Sequence, residues 1–250
     1  MKQLNLIPSL LLGLFFTGLG CHNSKVSQKM LDQQKAIYTA ETDAIIASGG
    51  ATLVDKDLDA ITPDELSGSG KLVVAAWKSV ASARDYYRAP GEMDTLDSPY
   101  LTWVVQASEY PTRGRQFHLD RLRGQRQALR LEQALGLPPT ADTTKVFLIL
   151  EVQAADLFRP CRDPDIADCS CSRDFPAGAY QDTTQYGPVY RGLIASTAGY
   201  PWTRMGYTLD WRKSSRNHFG FSEYILRQGA VVKVLAKTPT EAWLRSVFSE

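Results

Sequence analysis

The chain has 250 residues, with 28 Lys plus Arg against 27 Asp plus Glu and a formal net charge of +1. Its 44% hydrophobic and 22% charged content are those of an ordinary globular protein. So balanced a charge argues against a dedicated binder of nucleic acid or another polyanion.

The chain opens on Lys2 and an apolar run from Leu6 to Phe16, followed by small residues at Thr17, Gly18 and Gly20 and then Cys21. This is the layout of a secretory signal peptide over residues 1–20, too short in its apolar part to span a bilayer. A cysteine directly after small residues resembles the lipobox of bacterial lipoproteins, which implies that Cys21 becomes the acylated amino terminus. Gly18 and Leu19 depart from that pattern, which prefers a leucine followed by a small residue. An ordinary cleaved signal and a retained anchor are the alternatives. His22 after the cysteine, rather than Asp, favours the outer membrane over the inner. Each buried acyl methylene is worth about 0.8 kcal/mol, so lipid attachment tethers a domain without any spanning helix. No later stretch has the roughly 20 apolar residues that such a helix needs. Losing Lys2 with the leader leaves 27 charges of each sign.

Residues 21–36 read as the lipidated terminus and a flexible polar tether, and 37–250 as a single globular domain. "SGGAT" (48–52) and "SGSG" (67–70) are turn signals. "KLVVAAWKSV" (71–80) and "YLTWVVQA" (100–107) are strands by their β-branched and aromatic content, with a loop at 88–99 between them. Residues 115–139 read as one helix, stopped by Gly136 and two prolines, with Leu119, Leu122, Leu129 and Leu135 near one face. "KVFLILEVQ" (145–153) is apolar enough for the centre of a sheet. A long loop over 156–202 holds three cysteines. "TRMGYTLDW" (203–211) alternates as a strand, 219–236 reads as a hairpin turned at Gln228-Gly229, and 238–247 starts a helix. Strands outnumber helices without regular alternation. The expected class is α+β, a largely antiparallel sheet with one or two packed helices.

Cys161, Cys169 and Cys171 crowd "CRDPDIADCSC". In an oxidising compartment this spacing favours a disulfide from Cys161 to Cys169 or Cys171. Three thiolates could instead hold zinc, but the C-x2-C knuckle is missing; free thiols are the remaining reading, and no metal or cofactor is expected. Arginines 113, 115, 121, 123, 126 and 130 surround the 115–139 segment. They suit an electropositive docking face for an acidic partner or lipid headgroups, or simply a solvated helix face. Tyr200, Trp202 and Arg204 fall in an aromatic segment that fits either an interface hot spot or a core.

Complete catalytic motifs are missing. His22, His118 and His218 show no paired zinc-ligand spacing. "GFSEY" (220–224) lacks the second glycine of a nucleophile elbow, and nothing in the sequence brings His118 or His218 to Ser222. "VYRG" (189–192), Ser196-Thr197 and Glu223 are similar to ADP-ribosyltransferase elements, but too closely spaced and without the tandem acidic motif. No nucleotide-binding glycine loop is present.

Three segments, "LFRPCRDPDIADCSC" (157–171), "YPWTRMGYTLDW" (200–211) and "FGFSEYILRQGAVVKV" (219–234), together with the lipobox-like start, resemble immunity lipoproteins encoded beside type VI secretion lipase effectors. The resemblance implies a periplasm-facing, membrane-tethered antidote, not an enzyme. Such a protein occludes a toxin and carries no catalytic residues. The expected contact surface combines Arg121, Arg123 and Arg126 with Tyr200, Trp202 and Arg204. A cell-envelope hydrolase and a structural envelope lipoprotein are the competing expectations.

Overall fold

The computed structural model describes residues 25–48, 58–97, 101–172, 186–195, 200–215 and 217–249. The leader, Cys21, most of the 48–52 turn and parts of the 156–202 loop lie outside them. In chain order the elements are α1 (Gln28–Ser48), β1 (Lys71–Lys78), α2 (Val80–Asp85), β2 (Met93–Thr95), β3 (Thr102–Gln106), α3 (Tyr110–Gln116) and α4 (Gly124–Ala134). They continue with β4 (Val146–Gln153), β5 (Leu157–Phe158), α5 (Tyr186–Ala195), β6 (Tyr207–Leu209), β7 (Phe219–Ser222), β8 (Tyr224–Leu226), β9 (Val231–Pro239) and α6 (Thr240–Ser249).

Seven strands form one antiparallel sheet in the order β2-β9-β4-β1-β3-β8-β5, and β6-β7 forms a second, small sheet. The class is α+β, with six α-helices among the described residues rather than one or two. β4 lies between β1 and β9, as its apolar run requires. Its alternate residues serve two cores, Leu148, Leu150 and Val152 facing one cluster and Phe147 and Ile149 the other. β1 splits in the same way, Leu72, Val74 and Ala76 on one face and Ala75 and Trp77 on the other.

The turn at Gln228-Gly229 exists, closed by Ala230 N–H donating to the Arg227 carbonyl at 3.2 Å, with Gly229 at φ +81°. The strands it joins are not a hairpin, however: β8 pairs with β3 and β5, and β9 with β4 and β2. A turn of this kind keeps Leu226 and Val231 within about 15 Å. Four strand spacings in a flat sheet would put β8 and β9 about 19 Å apart. The sheet therefore curls, enclosing Val104, Leu150, Tyr224 and Val234 in its concave core.

The expected helix over 115–139 is broken in two. Phe117 and Leu119 both turn into the core, with His118 between them at φ +61°, and Gly124 at φ +56° restarts the chain as α4. Every residue of α4 from Gln127 to Ala134 is buried, because the helix is packed on two sides. Leu131 and Ala134 meet the convex face of the large sheet together with Tyr110, Trp243 and Leu244, while Leu129 meets Tyr207, Leu209 and Trp211. Helix α1 lies along α4: Gln133 Nε2 donates to Gln34 Oε1 at 2.8 Å, and Val26 N–H to Gln125 Oε1 at 2.9 Å. It therefore takes in residues 28–36 of the expected tether, with Val26, Leu31 and Ile37 packed against the same cluster as Tyr38. The strand expected over 203–211 shrinks to β6, preceded by a single bridge from Met205 to Cys161. No helix among the described residues is long and apolar enough to cross a membrane.

Candidate functional site

β7 and β8 are separated by one residue, Glu223, where the chain passes from the small sheet to the large one. Its backbone N–H donates to the Gly206 carbonyl at 2.9 Å. The side chain opens into a cleft of about 430 Å³ floored by β1 and β3 residues, including Trp77, Lys78, Trp103 and Val105. Tyr110, the turn after α4 (Leu135 to Leu137) and the segment from Tyr200 to Trp202 complete the walls. A volume of this size and a largely apolar lining with few polar groups are those of a small-ligand site.

Lys78 and Glu223 are the lysine and the carboxylic acid among the described lining residues. Desolvation alone pushes the Glu223 carboxyl up to about 8, so it is mostly protonated at neutral pH. Desolvation alone lowers the Lys78 ammonium from its ordinary value. Cations sit on two of the rings: Lys145 Nζ lies 4.1 Å from the Trp77 ring, and Arg204 lies 5.7 Å from that of Trp202. Trp77 is fixed by an Nε1–H bond to Thr240 Oγ1 at 2.7 Å. Trp202 packs edge-on against Tyr190 at 5.3 Å, and its buried Nε1–H meets no acceptor among the described residues.

Beside the cleft runs a buried polar network that braces segment 58–61. Glu109 is 4% exposed and accepts from the Ser222 N–H at 3.0 and 3.1 Å. Arg113 Nε lies 2.6 Å from Glu109 Oε1. Burial and the Asp59 carboxylate push the Glu109 carboxyl up to about 8, against the opposing pull of Arg113 and the Ser222 N–H. Ser222 is 0% exposed, and its Oγ accepts from Asp59 N–H at 2.8 Å. Its hydroxyl thus serves the fold, while His218 Nδ1 lies 2.9 Å from the Asp210 carbonyl and His118 sits in the α3–α4 turn. Arg159, also fully buried, donates to the carbonyls of Asp165 and Asp168 at 2.9 and 2.8 Å and so holds the cysteine loop. Gly206, at φ +76°, has no side chain because a Cβ would collide with the Arg159 stem.

The cysteine loop is closed by a Cys161–Cys171 disulfide, and Cys169 is free and exposed. Among the described residues no group of His, Cys, Asp and Glu is placed to hold a metal. Arg121, Arg123 and Arg126 are exposed, Arg121 beside Asp120 at 3.6 Å and Arg123 donating to the Asp120 and Leu122 carbonyls. Arg130 belongs to a different category: 5% exposed, it makes a two-pronged ion pair with Asp210 at 2.9 and 2.8 Å and stacks over Phe117 at 4.8 Å. Tyr200 is 58% exposed on the cleft wall, with Trp202 and Arg204 half-buried beside it. The arginines lie at or before the start of α4 and the cleft at its end. Eleven residues of helix separate the two by about 16 Å. Cys21 lies outside the described residues.

Sequence reasoning did not single out Lys78, Trp77 or Trp103, and met Glu223 only in passing. The available signals were a lysine ending an apolar strand and a glutamate interrupting the run "FGFSEYIL". Comparison with protein-family models, with curated proteins and with solved structures gave no match.

Proposed function

We propose that this chain is a lipid-anchored, periplasm-facing binding protein that neutralises a toxic effector protein by covering it. The observation that carries the reading is the exposed Tyr200 at the edge of the aromatic cleft, flanked by Trp202 and Arg204. Aromatic and arginine side chains of this kind, anchored from behind by packing, are what interface hot spots are made of. The exposed arginines at the start of α4 offer a second contact region to an acidic partner. A standard interface covers about 800 Å² of each protein, roughly 30 Å across, enough to include both ends of an 11-residue helix. The disulfide suits an oxidising compartment, in agreement with the lipobox-like leader. The choice of a lipase effector as target comes from the resemblance of the 157–171, 200–211 and 219–234 segments to immunity lipoproteins.

The test directs a lipase-type reading frame encoded beside this one to the periplasm, with and without this protein. Survival only in its presence is the expected result; equal killing in both contradicts the proposal. Tyr200→Ala with Arg204→Glu should abolish protection, and Arg121→Glu with Arg123→Glu and Arg126→Glu should weaken it.

A further inference from the structure

We propose that a polar pocket between α3 and the chain following β6 is a binding site for a phosphate monoester on a small polar body, with Arg212 as its anion-binding residue. The site is separate from the aromatic cleft and does not depend on the effector reading. It holds about 310 Å³, with Arg113 and Gln116 of α3 on one side and Arg212, Ser214, Ser215 and Asn217 on the other. Arg212 reaches it because side chains alternate here: Trp211 turns into the cluster with Tyr38 and Leu209, while Asp210 and Arg212 both line the pocket. The Arg212 backbone N–H donates to Asp210 Oδ1 at 3.3 Å.

The other two arginines at this place are already committed. Arg130 gives both Nη groups to Asp210, and Arg113 lies 2.6 Å from Glu109 and 3.9 Å from Asp59. Arg212 is not committed. No ion pair or hydrogen bond among the described residues involves its guanidinium, and its Nε–H is buried without an acceptor. Buried donors are normally paired, and a half-buried guanidinium with no carboxylate opposite costs free energy that an anion returns. Asp210 is the one carboxylate among the described lining residues, and Arg130 neutralises it, so an entering anion meets no free negative charge. Nor does the pocket suit an apolar ligand. Its two rings each carry a guanidinium on one face, Arg113 over Phe219 at 4.4 Å and Arg130 over Phe117 at 4.8 Å. The Ser214 and Ser215 hydroxyls and the Gln116 amide add neutral donors. Asn217 Oδ1 accepts from the Phe219 N–H at 3.2 Å, which leaves its NH2 group as a further donor. Together with Arg212 these outnumber the two oxygens of a carboxylate and suit the three terminal oxygens of a phosphate ester.

The experiment titrates glycerol 3-phosphate into the full chain carrying Cys21→Ser by calorimetry at pH 7, with glycerate and glycerol as the carboxylate and neutral comparators. One-to-one saturable binding, about tenfold or more tighter than glycerate, is expected. Vesicles of phosphatidylcholine with a minor fraction of phosphatidic acid distinguish the source: Arg212-dependent binding to them assigns the phosphate to a lipid headgroup, and its absence assigns it to a soluble ester. Arg212→Gln should weaken glycerol 3-phosphate binding about tenfold or more and leave the urea midpoint unchanged, because the guanidinium has no partner in the fold. Asn217→Asp, which keeps the acceptor for Phe219 and adds a carboxylate to the site, should weaken it as much. Arg88→Gln, on an exposed side chain outside the pocket, should leave it within about twofold. Absence of saturable glycerol 3-phosphate binding, equal affinity for glycerate, affinity that survives Arg212→Gln or Asn217→Asp, a lowered urea midpoint in Arg212→Gln, or an equal loss in Arg88→Gln would each overturn the proposal.

Discussion

Replacing Asp210 by Asn separates the structural arginine of α4 from the surface ones. Asp210 is 1% exposed and receives both Nη groups of Arg130 at 2.9 and 2.8 Å. The asparagine leaves a guanidinium inside the protein, between Phe117 and the small sheet, with no carboxylate opposite it. Breaking one side of such a buried pair costs about 3–5 kcal/mol, because the remaining charge stays desolvated. In a chain of this size that corresponds to a melting temperature lower by roughly 10 °C. Urea unfolding followed by circular dichroism measures it directly. Arg130→Met combined with Asp210→Leu should recover most of the loss, since two apolar groups fill the space without a stranded charge. An Asp210→Asn cost below about 1 kcal/mol would show that the pair is not desolvated, and the account of α4 as a buried helix would fall with it. Arg121→Ala, on an exposed side chain, should move stability by no more than about 0.5 kcal/mol.

Gly220→Ala should lower stability by about 1–3 kcal/mol in the same assay, because its Cβ would overlap the Ala134 carbonyl and both oxygens of Thr208; an unchanged urea midpoint would contradict the close approach of β7 to α4. Cys161→Ser with Cys171→Ser should cost about 3 kcal/mol, the loop entropy released to the unfolded chain. Mass spectrometry of the alkylated, non-reduced protein should find the label on Cys169 and none on Cys161 or Cys171, and label on all three would refute the pairing. With Glu223 raised from 4.5 to about 8, the folded state binds the extra proton between these values, so stability falls as pH rises through that window. Glu223→Gln should flatten that decline, leaving the part due to Glu109, which is also pushed up to about 8. Indistinguishable pH profiles would mean that water, not the cleft walls, surrounds the carboxyl.

What the sequence shows plainly here is what depends on neighbours in the chain. The apolar run of β4 and its central place, the strand character of β1 and β3, and the turn at Gln228-Gly229 are all local, and all are present. The pairing of β8 and β9 is not local. The same turn serves a hairpin or a curled sheet, and only burial of the concave core decides between them. The 115–139 segment misleads for a related reason: its leucine spacing suits a helix, but Phe117 and Leu119 gain more from entering the core than from continuing the spiral. Arg130 looks like its neighbours in the sequence and differs because Asp210, eighty positions away, turns toward it. The cysteine spacing admitted two bridges, and only the path of the loop around Arg159 selects Cys171. Residues of the cleft come from five separated stretches, so no window of sequence contains it.

The envelope address underlies the functional account, and acylation of Cys21 tests it most directly. Cells expressing the full chain are fed labelled palmitate and then fractionated. The label should enter the protein, vanish in Cys21→Ser and sediment with membranes. An unlabelled protein recovered from the cytosol would contradict the proposed role.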